Sequence, residues 1–235
     1  MTLRVDNINN NIQINTKNPN NKVSNATKVA SLLGSTVGVT ASICAITRKN
    51  PMNLVKTVAK PKTVLKELQK LEFSGKDVIE IATGSITGGL LAGSAIDKDN
   101  TKAKAKEGLT QLVGNYIVPS AFVTGGIKLN KVLNSKFKYP PKTGLVKFAF
   151  GMVSLIAGVF AGNAISKKIN KEVFKEDTYR PLKTSDWGMQ ADNVCLVTSM
   201  ANEGTNLAKN VSKIIPIAHI IPGYIVGTKK FDYQT

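Results

Sequence analysis

The residues of this 235-residue chain best suited to chemistry are few and far apart. One histidine, His219, stands between Pro216 and Pro222 in an apolar run, a setting that fits packing or an interface better than acid–base catalysis. Cys44 and Cys195 lie distant from each other in apolar surroundings. They form neither a disulfide framework nor a metal-ligand pair and read as buried free thiols. The carboxylates nearest the apolar stretches, Glu80, Asp97 and Glu107, fall at the ends of those stretches, where solvation accounts for them. HExxH, GxSxG, GxxxxGK[ST] and CxxC patterns do not occur. The expectation is therefore a protein that is not an enzyme, with no catalytic, cofactor-binding or metal-binding set. Two glycosylation sequons, Asn25-Ala-Thr27 and Asn210-Val-Ser212, are short enough to arise by chance.

Three amides invite another kind of chemistry. Gln111, Asn115 and Asn163 each interrupt an apolar stretch, and Gln111 and Asn115 lie one helical turn apart on one face. Within a bilayer such side chains turn toward the protein interior or a wet cavity. They read either as hydrogen bonds between helices or as the lining of a transport path.

The elements that must position them are uncharged stretches bracketed by charge. The clearest is 148–166, 19 residues between Lys147 and the pair Lys167 and Lys168. As a helix it is about 28 Å long, close to the roughly 30 Å hydrocarbon core of a bilayer. Stretch 29–47, between Lys28 and Arg48, has the same length, and 78–96 reaches it only by placing Glu80 about one turn inside. The fourth stretch, 108–127, is the most polar, and Pro119 should kink it. The fold expected is all-α: a multi-pass transmembrane bundle of about four spans, occupying 28–168, with amphipathic and polar connecting helices.

Small residues recur on these helices at the spacing that lets backbones approach. Gly34 and Gly38, Gly84 and Gly88, Gly89 and Gly93, and Gly158 and Gly162 are GxxxG pairs, and Gly151 extends the last of these faces. Each internal glycine costs a helix in water roughly 1 kcal/mol against alanine, whereas helices in lipid pack through such residues. These glycines are the candidate helix-packing residues.

The remaining chain is polar. Residues 1–27 form an Asn-rich tail expected to be disordered, and a basic connector after Arg48 holds an expected amphipathic helix over 63–73. In the polar helical segment 169–213, Pro181 and Trp187 mark a loop. After it, Val194, Val197, Ala201, Gly204, Ala208, Val211 and Ile215 predict one helix from 190 to 215 with a small-residue seam. Stretch 214–228, broken by Pro216 and Pro222, reads as re-entrant, interfacial or a fifth span, and 229–235 is a tail.

A net charge of +17 favours anionic surfaces. The lysines fall between apolar stretches rather than along one helix face, and aromatics are few, which argues against a soluble nucleic-acid-binding protein. The partners expected are a bilayer with anionic headgroups and other membrane helices, including a second copy of the chain. With five spans the basic residues divide evenly between the two sides; with four, the side of both termini holds more, which mildly favours four. The function expected is structural or interaction-based, with a transporter or pore as the alternative.

Overall fold

The computed structural model describes residues 22–48, 73–137, 143–175 and 190–230. Most of the Asn-rich tail, the amphipathic stretch 63–72, the Pro181–Trp187 loop and the final tail lie outside these residues. Helix α1, Asn25–Thr47, begins inside the stretch expected to be disordered because Ser24 caps it, its hydroxyl accepting from the Thr27 N–H at 3.0 Å. Helix α2, Gly75–Ile96, starts at a capping box in which Ser74 and Asp77 satisfy each other's backbone N–H groups. A short 3-10 turn, Lys98–Asn100, reverses the chain into a long helical rod. The rod comprises α3 (Thr101–Gln111), a π-helical segment (Leu112–Ile117) and α4 (Val118–Phe137). Helix α5, Gly144–Val173, is the longest at 30 residues.

The C-terminal region departs from expectation. The single helix expected over 190–215 is broken: α6 (Ala191–Ala201) ends, and the chain reverses before α7 (Asn206–Ser212). Gly204 lies at φ +80°, a left-handed conformation that glycine adopts without strain, and the Thr205 hydroxyl caps α7. The seam residues on either side of Gly204 therefore face one another across a hairpin instead of lining one face. Helices α8 (Ile214–Ala218) and α9 (Ile220–Thr228) continue the line of α7 with a turn at His219.

Among the described residues, four helical runs are long and apolar enough to cross a membrane: Asn25–Thr47, Gly75–Ile96, Gly144–Val173 and Asn206–Thr228. The protein is thus an all-α helical bundle of about four spans. Three of the runs contain the expected spans 29–47, 78–96 and 148–166. The fourth is the proline-interrupted C-terminal run, whereas 108–127 forms the middle of the rod. Large apolar side chains point outward: Val37, Leu91, Val153, Phe160 and Ile221 are each more than half exposed. Such faces suit lipid rather than water. Inside, Val78, Ile81, Tyr116, Val123, Leu196 and Ile215 form one core, each at most 1% exposed.

The bundle has two sides. Helices α1, α2 and α9 pack on one another, and the π segment, α4, α5 and α6 form the other group. The groups meet where α2 and α9 lie against the rod.

Candidate functional site

On the first side, glycines bring backbones into contact. A Cβ placed on Gly34 would strike the carbonyl of Gly88, and one on Gly38 the carbonyl of Gly84, so α1 and α2 touch through both GxxxG pairs. The second α2 pair faces elsewhere: Gly89 lies against the Gly223 carbonyl and Gly93 against that of Gly227. Helix α2 therefore has two glycine faces about a quarter turn or more apart, one for α1 and one for α9. Gly223 and Gly227 are themselves a GxxxG pair, a signal present in the sequence but masked by the prolines that make this run look like a poor helix. On the second side, Gly162 abuts the Gly114 carbonyl, Gly158 abuts Pro119 and Phe122, and Gly151 abuts Val197.

Between the two sides runs a line of polar side chains. Gln111 Nε2 donates to Glu107 Oε1 at 2.8 Å, and Asn115 Nδ2 donates to Gln111 Oε1 at 2.5 Å. Gln190 Nε2 donates to Asn115 Oδ1 at 3.4 Å, and Asn193 Nδ2 donates to Gln190 Oε1 at 2.7 Å. Gln111 and Asn115 are thus joined, whereas Asn163, half-buried on α5, is not part of this line.

The backbone explains the position of Asn193. Pro119 has no N–H, so the carbonyl of Asn115, four residues earlier, loses its α-helical donor, and the ring crowds that carbonyl. The rod answers with a π segment immediately before Pro119 instead of a plain kink. Asn193 Nδ2 then donates to the Asn115 carbonyl at 3.0 Å, supplying a donor that the proline withholds.

Beside Asn193 lies an acid–base pair that sequence reasoning missed. His219 Nε2 stands 3.2 Å from Asp192 Oδ2, with side chains 0% and 3% exposed. His219 Nδ1 is 2.7 Å from the Ile215 carbonyl, which can only accept, so Nδ1 carries a hydrogen. The approach of Nε2 to Oδ2 is too bent for a hydrogen bond, and neither atom has another hydrogen-bond partner among the described residues. The Tyr116 ring packs on the imidazole at 5.2 Å between centroids, and the Ser85 hydroxyl of α2 donates to the His219 carbonyl. Nothing local in the sequence pairs Asp192 with a histidine 27 positions later.

At the end of the bundle where α2 finishes, Lys104 Nζ meets Asp97 Oδ2 at 2.8 Å, with the lysine side chain 0% exposed. Burial pushes the Asp97 carboxyl up, but hydrogen bonds from Lys104 and Asn100 and the Lys104 charge outweigh it and hold the group below the usual carboxylate range. Glu107 is likewise only 13% exposed and lies 3.9 Å from Lys229. These two carboxylates, expected to be solvated, tie helix ends together; Glu80 remains the more open, at 41%.

No group of three or more His, Cys, Asp or Glu side chains that could hold a metal occurs among the described residues. Comparison with protein-family models, with curated proteins and with solved structures finds no match.

Proposed function

We propose that this chain is a multi-pass integral membrane protein with a structural or interaction role, presenting a rigid helical assembly to the bilayer and its partners. The observation that carries the reading is the way the interior is closed. Backbones of α1, α2 and α9 touch at glycines, and the core amides hydrogen-bond to one another. An interior closed by mutual contacts holds helices in place and leaves the basic connectors to engage anionic headgroups. No catalytic step is assigned to it.

Membrane fractionation tests the first part: the chain should stay in the pellet through alkaline carbonate and then high salt. Release by salt would instead mean a soluble bundle whose positive charge holds it to an anionic partner. Proteoliposomes test the second part, with no ion or solute flux expected above protein-free vesicles.

A transport role is the second reading, favoured by the polar line that leads from Glu107 toward the buried Asp192 and His219. On that reading, replacing Gln111 and Asn115 by leucine abolishes a measurable conductance. On the structural reading the same changes alter stability only.

A further inference from the structure

The end of the bundle where α1 begins and α9 finishes has a groove that the described residues do not fill. Val29 and Leu32 of α1 and Ile220, Ile221 and Tyr224 of α9 line it, with Lys28 alongside, and its volume is about 320 Å³. The two helices run antiparallel, Gly227 lying against Ser31 and Gly223 against Ser35. The groove therefore begins at the level of Lys28, near the start of a membrane-length helix, and runs past Leu32 to Tyr224, Ile221 and Ile220, which this register sets about two to three turns deeper than Lys28. Leu32 and Ile221 are about half exposed, at 48% and 55%, so the slot opens sideways to the surroundings.

Lys104 and Lys229 are paired with Asp97 and Glu107, but Lys28 has no carboxylate partner among the described residues. Lys230 Nζ donates to the Lys22 carbonyl at 2.9 Å, which brings two further lysines to the same end. The first turn of α1 holds no acidic residue, so the positive end of its dipole also stands uncompensated. Lys28 at the mouth, Tyr224 about 9 Å deeper and the isoleucines beyond it follow the order phosphate, interface, hydrocarbon.

We propose that this groove is a lipid site: it takes one acyl chain of an anionic glycerophospholipid, whose phosphate is held by Lys28. The proposal rests on the membrane reading above and names its partner. A zwitterionic lipid offers the same chain, so the selectivity lies in the headgroup. Lys22 and Lys230 favour net negative charge over net zero, each contributing an attraction that falls off within a Debye length.

The test uses the full chain, purified in detergent and mixed with equal amounts of phosphatidylglycerol and phosphatidylcholine, with bound lipid read by native mass spectrometry. Wild type should retain phosphatidylglycerol in preference to phosphatidylcholine. Lys28→Gln should weaken that retention about fivefold, whereas Lys102→Gln, an exposed lysine at the same end but off the groove, should not. Ile221→Trp fills the slot without changing charge and should lower retention as well. Equal retention of the two lipids by wild type overturns the proposal, and this comparison needs no variant to fold. Equal weakening by Lys28→Gln and Lys102→Gln also overturns it, because diffuse charge would then be responsible, as does unchanged retention in a folded Ile221→Trp variant. Release of the chain from membranes by carbonate refutes the membrane reading itself. A carbonate-resistant chain with no lipid preference refutes only the groove.

Discussion

Two regions of the bundle solve the same problem by opposite means. Helices α1, α2 and α9 have removed side chains: glycine meets glycine at Gly34 and Gly88, Gly89 and Gly223, and Gly93 and Gly227. Where the rod, α6 and the turn at His219 meet, side chains have instead been added, and Gln190, Asp192, Asn193 and His219 among them carry hydrogen-bonding or titratable groups. The first solution depends on shape and distance, so it fails through excess volume. The second depends on complete pairing, so it fails through the loss of a partner. Lipid gives helices no hydrophobic reason to associate, which is why one of these two devices is needed at each contact.

The comparison is broken most severely at the buried pair. His219→Ala should leave the Asp192 carboxyl buried without its partner and cost about 3–5 kcal/mol, measured as unfolding free energy in detergent. A loss below about 1 kcal/mol would mean that the pair contributes little to holding α6 against the turn at His219. On the glycine side, Gly38→Ala should cost about 1–3 kcal/mol, because the new methyl meets the Gly84 backbone and not a movable side chain.

Asn193→Ala should cost about 1–3 kcal/mol, since it withdraws the side-chain donor from the Asn115 carbonyl. Pro119→Ala supplies a backbone N–H to that carbonyl and should recover part of the loss in the double variant. Additive losses in the two variants would show that the carbonyl is not the link between them.

A smaller effect concerns pH. The Asp97 carboxyl is held below its ordinary value of 3.8, so the Asp97–Lys104 contact stabilises the fold at neutral pH. That contribution is complete above 3.8 and is lost as the pH falls below it, where the unfolded chain binds the proton first. The acid side of the stability profile should flatten in Lys104→Met, and an unchanged profile would assign the acid sensitivity to another group. The smallest effect is expected at Gly125, where an added Cβ meets nothing within 4 Å. Gly125→Ala should stabilise by a few tenths to about 1 kcal/mol, in contrast to Gly38→Ala on the same measurement.

Composition and spacing were enough to read an all-α bundle and the approximate bounds of three spans, because uncharged stretches between lysines are a local property of the chain. The glycines at 34, 38, 84, 88, 89, 93, 158 and 162 could be singled out for the same reason. Which glycine faces which could not, since α2 carries two pairs and only the assembled bundle assigns one to α1 and the other to α9. The C-terminal run was the harder case. Pro216 and Pro222 disfavour a helix locally, yet Gly223 and Gly227 sit flush on α2 and hold the run in place.

The polar site depended still more on tertiary structure. Gln111 and Asn115 are one turn apart and could be paired by helix geometry alone. Gln190 and Asn193 reach Asn115 only because α6 packs against the rod. A carboxyl and an imidazole separated by 27 positions attract one another through space, and no pattern along the chain records that distance. The chain's own order of residues thus decides which segments become helices and which of their faces are smooth. The fold decides which smooth faces meet and which buried charges find partners, because both depend on contacts between segments remote in sequence.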